Sequence, residues 1–246
     1  MWAVTLLAVL LGVGVPWMVT KSRDPSFRGI AESDWIRTLA YNNDDQVRQW
    51  REFGPEGVQV LIRGLDKAYH PAEILYRKVH RQLRRTLPQM VLAWLPAPRP
   101  DATRSARMKI TYLLASLSKD AGAATPIMTR ALDDEDAGVR QLAITFFTQG
   151  EDENALLNRL EPKRKLALLP RFLAAMQDTS WGVRNNAAVA LRYYPERSET
   201  VSAILIKALN DPDPHVRLVA ARSLHRVAPD RKVEAGPPGA EAAGLK

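Results

Sequence analysis

Few residues of this 246-residue chain stand at spacings that support catalysis or metal binding. His70-Pro-Ala-Glu73 matches the first half of a zinc-dependent deaminase site, where a histidine ligates the metal and a glutamate moves protons. The cysteine ligands that must complete such a site are missing, because the chain has no cysteine. The same absence removes disulfides, thiolate metal sites and cysteine nucleophiles, and it leaves the redox compartment open. His215 and His225 stand ten residues apart, about 80° out of line on a helix, so they do not form the i, i+4 pair of a metalloprotease. Surface or turn histidines are expected there. Asp133-Asp-Glu-Asp136 is acidic but lacks the alternating ligands and central glycine of a calcium loop; it reads as a capped, solvated turn. Gly12-Val-Gly14 lies within an apolar run and cannot cradle a phosphate, and neither a Gly-x-Ser-x-Gly nor a P-loop sequence occurs. The expectation is a non-enzymatic chain with no catalytic residue, no cofactor and no metal.

The elements that would position any site are helices. With 46% hydrophobic and 25% charged residues the chain can bury a core, and with only 13 glycines and 7% aromatics it favours helices over sheet. Three segments align without gaps: Ala131-Leu-Asp-Asp-Glu-Asp-Ala-Gly-Val-Arg140, Ala175-Met-Gln-Asp-Thr-Ser-Trp-Gly-Val-Arg184 and Ala208-Leu-Asn-Asp-Pro-Asp-Pro-His-Val-Arg217. Each ends one helix and starts another. The match runs on through Ala143, Ala187 and Ala220, then Phe147, Leu191 and Leu224, which fall on one stripe of the second helix. A fainter copy holds Asp101, Ala106, Arg107, Ile110 and Leu114. The arginines Arg107, Arg140, Arg184 and Arg217 are separated by 33, 44 and 33 residues, the spacing of stacked helix pairs with one insertion. That insertion of 11 residues is expected within Gly150 to Lys165.

The recurring residues have mechanical roles. Asp134, Asp178 and Asp211 are expected to cap backbone N–H groups in the turns. Arg140, Arg184 and Arg217 can reach turn carboxylates of their own or a neighbouring repeat.

These residues resemble the HEAT family, especially the short bacterial form related to the HEAT-like repeats of phycobilisome lyases. The resemblance rests on Asp-x4-Val-Arg followed by Ala and a large apolar residue, and it covers Asp101 to Val227. It implies an all-α fold, a right-handed α-solenoid of antiparallel helix pairs whose second helices line a concave face used for protein binding. A bilin-lyase-like activity is a remote implication, since the shared residues are structural ones.

Before Asp101 the signals are helical but irregular. Ser33-Asp-Trp-Ile reads as a capped helix start, Asn42 to Arg48 resembles the repeat turn, Gly57 to Asp66 is an apolar-faced helix, and a long helix is expected from Ala72 to Leu95. Residues 30–100 form an N-terminal cap, Pro96 to Pro100 a rigid connector, and 101–228 the repeats. Residues 229–246 read as a disordered tail.

Charge is concentrated. From Lys67 to Lys109 there are ten basic residues against Glu73 and Asp101, a net of +8 that equals the excess of the whole chain. Arg77, Arg81, Arg84 and Arg85 are expected to share one helix face opposite Leu75, Val79, Leu83 and Leu87. Such a face suits an acidic protein, phospholipid headgroups or, less well, nucleic acid.

At the N-terminus, Trp2 to Val19 contains one polar residue, Thr5, and is followed by Lys21 and Arg23. As a helix it would reach about 27 Å, near the hydrocarbon thickness of a bilayer. No basic residue precedes it and no small-x-small cleavage site follows, so an uncleaved membrane anchor over residues 1–23 is the expectation, with a secreted or periplasmic protein as the alternative. The sequence therefore predicts a membrane-anchored scaffold that binds a protein partner, with Trp181, Tyr193, Tyr194 and His215 as candidate contacts. Binding of an anionic surface through Arg77 to Arg85 is the runner-up.

Overall fold

The computed structural model describes residues 24–92, 103–150 and 152–229. The apolar run Trp2 to Val19, Asp101, the Pro96 to Pro100 connector and residues 230–246 lie outside them. Among the described residues no helix is long and apolar enough to cross a membrane. The described residues form two compact units that divide between Leu113 and Leu114.

The first unit opens with a hairpin that composition did not suggest. Strands β1 (Ser26–Phe27) and β2 (Ile30–Ala31) pair antiparallel across Arg28 and Gly29, with φ of 52° and 78°. That is the left-handed pair of a type I′ turn, whose twist matches that of the strands. Helix α1 (Glu32–Thr38) follows, then α2 (Asp44–Glu52) and α3 (Gly54–Tyr69). Ser33 does not cap α1; its N–H donates to the Asp24 carboxylate at 3.0 Å, because the hairpin folds that acid back over the helix start. Asn43 does cap α2, its side chain accepting from the Gln46 N–H at 2.9 Å. Phe27, Trp35, Trp50 and Phe53 meet edge to face, a geometry that aligns ring edges with the π faces of their neighbours. Glu32 is buried and accepts from Arg63 Nε at 3.0 Å, which compensates the cost of taking a carboxylate out of water.

The long helix expected from Ala72 to Leu95 is instead divided. Helix α4 spans Pro71–Thr86 and α5 Gln89–Leu92. Pro88 stands between them; it lacks an N–H and pushes Leu87 away from helical dihedrals. Helix α6 (Arg104–Ser116) buries Ala106, Ile110 and Leu114 in the register of the faint repeat.

The second unit is a stack of helix pairs. Helices α7 (Thr125–Ala131) and α8 (Ala137–Thr148) make one pair, α10 (Pro162–Ala175) and α11 (Trp181–Leu191) the next, and α12 (Ser198–Ala208) and α13 (Pro214–Val227) the last. Each second helix buries the expected stripe: Val139, Ala143 and Phe147; Val183, Ala187 and Leu191; Val216, Ala220 and Leu224. Second helices pack on second helices, α8 on α11 and α11 on α13. Alanine at the centre of each stripe permits that close approach.

The insertion falls where the spacing placed it. A 3₁₀ turn (Asp152–Asn154) and the short helix α9 (Leu156–Arg159) stand before α10 and bury Ala155, Leu156 and Leu157. Gly150 enters this segment at φ 109°, a backbone conformation that favours glycine, and a Cβ there would crowd the Asn154 backbone at 3.3 Å.

Candidate interaction surface

The repeat signature builds a ladder of charge pairs. Arg140 donates through Nε and Nη2 to Asp178 at 2.7 and 2.9 Å, and through Nη1 to the Asp134 carbonyl at 2.7 Å. Arg184 repeats the arrangement with Asp211 at 2.7 and 2.8 Å and the Asp178 carbonyl at 2.9 Å. Each guanidinium thus binds the carboxylate of the following repeat and the backbone of its own turn. The planar fork suits this bidentate geometry. Arg217 keeps only the second half, with Nη1 donating to the carbonyls of Asp211 and Pro212 at 2.8 and 3.0 Å.

Charge and burial oppose each other at the paired acids. Burial alone would raise the Asp178 pKa, but Arg140, the Ser180 N–H and the charge of Arg184 outweigh it and hold the carboxyl below its usual range. At Asp211 the Arg184 hydrogen bond is the largest influence, acting against burial, and the result is again a depressed value.

The three turn aspartates accept from backbone N–H groups of the turns, as expected. Asp134, Asp178 and Asp211 accept from the N–H two residues on, at Asp136, Ser180 and Asp213 (2.8, 2.9 and 2.9 Å), closing the turn itself. The helix caps are Asp136, which accepts from Gly138 and Val139, and Asp213, which accepts from His215 and Val216. Asp133 faces Arg171 at 3.2 Å. The acidic run Asp133 to Asp136 is therefore occupied with turn closure, capping and pairing, and no group of three or more metal-ligating side chains occurs among the described residues.

The aromatic candidates separate. Tyr193 is buried, and Tyr194 is fully buried with its hydroxyl donating to the Lys165 carbonyl at 2.9 Å. Burial pushes the Tyr194 phenol far above its ordinary pKa. Both rings fill the interior, because they follow the last turn of α11 where the chain turns back into the core, and they present no surface to a partner. Trp181 differs: at the first position of α11 it is 49% exposed, and its ring lies 5.5 Å from that of His215, tilted by 31°. His215 is exposed and touches Asp213 through Nδ1 at 3.3 Å. The two rings stand at corresponding ends of adjacent second helices. His225, at the far end of α13, is exposed and does not join them.

In the first unit the basic face of α4 is rotated from its expected setting. Arg77 is half-buried and donates to the Ala68 carbonyl at 3.1 Å. Leu75 is 49% exposed, while Glu73 and Tyr76 are buried. The inward side is thus defined by Glu73, Tyr76 and Leu83, and Lys78 takes the outward place assigned to Arg77. His80, against Tyr76, is held below its ordinary pKa by burial and by the charge of Arg84. Lys78, Arg81, Arg84 and Arg85 are exposed.

Comparison with known proteins finds a match to part of the second unit. The model of the family described as HEAT repeats matches residues 167–235, which take in α11, α12, α13 and most of α10. A designed armadillo repeat protein is similar in structure, with 17% identity and a TM-score of 0.44, covering 86% of this chain and 99% of its own. An engineered protein covers 80% of this chain and 78% of its own, at 15% identity and a TM-score of 0.40. No curated protein matches in sequence.

Proposed function

We propose that residues 167–235, which carry HEAT repeats, work with the helix pair before them as a non-enzymatic scaffold. A protein segment binds along the second-helix layer of α8, α11 and α13, and the chain is fixed to a membrane through Trp2 to Val19. The observation that carries this reading is the contrast between two sets of residues in one turn region. The repeated ones, Asp178, Arg184 and Asp211, are spent on each other. Trp181 and His215, which differ from repeat to repeat, are left outward-facing with their rings side by side. A half-exposed tryptophan beside an imidazole is a large, rigid and partly polar contact of the sort that dominates protein interfaces.

Replacing Trp181 in the full chain by a photo-crosslinking phenylalanine analogue, in native membranes, tests it. A discrete protein adduct from position 181, lost when the probe is moved to exposed Lys163 on α10, is the expected result. Adduct formation from position 163 but not from 181 would move the partner site away from this edge.

A further inference from the structure

Helix α4 carries a second surface that the scaffold reading does not use. Lys78, Arg81, Gln82 and Arg85 follow at i, i+3, i+4 and i+7, so they form one exposed stripe about 10 Å long, with Arg84 at its rim. None of the four cations has a hydrogen bond or ion pair among the described residues. The one acid of α4, Glu73, is buried on the other side, so nothing on the helix offsets this charge. Leu75, three residues before Lys78 on the same stripe, is 49% exposed, and Met90 on the next helix, α5, is 83% exposed.

We propose that this face docks on the anionic phospholipid headgroups of the membrane that holds Trp2 to Val19; the inference rests on the anchored reading above. Three observations favour a lipid surface over the other anionic partners. The cations lie in a single row on a convex helix, which fits a flat sheet of phosphates and gives no groove for a nucleic acid strand. Leu75 and Met90 would cost free energy against a highly charged polymer, whereas the interfacial zone of a bilayer accepts apolar side chains beside basic ones. The tether is short: only Thr20 to Arg23 separate the apolar run from Asp24, and Asp24 is tied to Lys67 Nζ at 3.1 Å and to the Ser33 N–H at 3.0 Å. At about 3.4 Å per residue the folded unit begins within roughly 17 Å of the bilayer, so headgroups reach it at high effective concentration.

The absence of cysteine makes the test direct. Gln82→Cys in the full chain carries one environment-sensitive dye on the stripe, and the protein is assembled into lipid nanodiscs that contain a headgroup-attached quencher. In discs with about one-third phosphatidylserine the dye is quenched several-fold more than in phosphatidylcholine discs; about 0.5 M salt, or K78Q/R81Q/R85Q, abolishes the difference. Equal quenching in both lipids, or none, overturns the proposal. So does a dye response to an oligonucleotide or to polyglutamate in phosphatidylcholine discs without a response to phosphatidylserine. Co-elution with phosphatidylcholine discs scores the anchor separately: a chain that fails to co-elute yet is quenched on phosphatidylserine discs loses the anchor and keeps the docking face.

Discussion

Arg184 holds Asp211 through both edges of its guanidinium, at 2.7 and 2.8 Å, while its third nitrogen keeps the Asp178 carbonyl at 2.9 Å. One side chain thereby fixes a turn and joins two repeats. Since the pair is largely buried, removing the arginine strands a carboxylate from which water is mostly excluded. Arg184→Ala is expected to cost about 2–3 kcal/mol, and Arg184→Lys to restore only part of that, because an ammonium cannot bind both oxygens at once. Arg217→Ala, which loses two carbonyl contacts and a charge near Asp211 but no bidentate carboxylate pair, should cost less than Arg184→Ala, about 1 kcal/mol. Denaturant midpoints of the full chain check the order.

The same pairs set a pH dependence. Asp178 and Asp211 have folded pKa values below the ordinary one, so as pH falls the unfolded chain takes up their protons first. Their stabilisation is complete above the ordinary carboxylate pKa and is lost as pH drops through the depressed folded values. Denaturation midpoints should therefore fall between about pH 5 and about pH 2. Asp178→Asn should start lower and fall less steeply over this window.

Two glycines separate close packing from a tolerant contact. A Cβ at Gly57 would stand 2.6 Å from the Phe53 Cβ and 3.4 Å from the Trp50 ring, whereas at Gly182 it would meet the Gln141 side-chain amide at 2.6 Å. The first neighbour is fixed to the backbone and the second is the end of a flexible chain. Gly57→Ala should lower stability by about 1–3 kcal/mol, and Gly182→Ala should stay near wild type or gain slightly from its higher helix propensity. Thermal melts of the two variants measure the difference.

Tyr194 distinguishes interior from surface. Tyr194→Phe removes the hydroxyl's bond to the Lys165 carbonyl and should cost about 1–2 kcal/mol; Tyr194→Ala adds a cavity and should cost about 3–5 kcal/mol. Trp181→Ala, at an exposed position, should fall within about 0.5 kcal/mol of wild type. Circular-dichroism melts separate these outcomes before any binding is scored.

Much of the second unit was legible because its signals are local and repeated. The three aligned turns, the alanine-centred stripes and the step between Arg140 and Arg184 placed every helix pair and the insertion that α9 fills. That the arginines reach carboxylates was legible too; choosing the following repeat's acid required the stacking geometry, as Asp134 and Asp178 are equally acidic in sequence. Periodicity misjudged α4 because four arginines suggest a single polar face, while Arg77 snorkels to the Ala68 carbonyl and Leu75 is left outside. The hairpin at Arg28 and Gly29 has two-residue strands, too short for any alternation to register. Tyr193 and Tyr194 had no sequence mark of burial, since a tyrosine after a helix end serves a core and an interface equally well.

The most direct test of the account is oxidative footprinting of Trp181 in native membranes against the purified full chain. Protection of Trp181 in the membranes, with equal oxidation of exposed Tyr41 in both samples as the internal control for dose, is the predicted result. Equal oxidation of Trp181 in both samples would contradict a partner seated on the turn edge of the second helices.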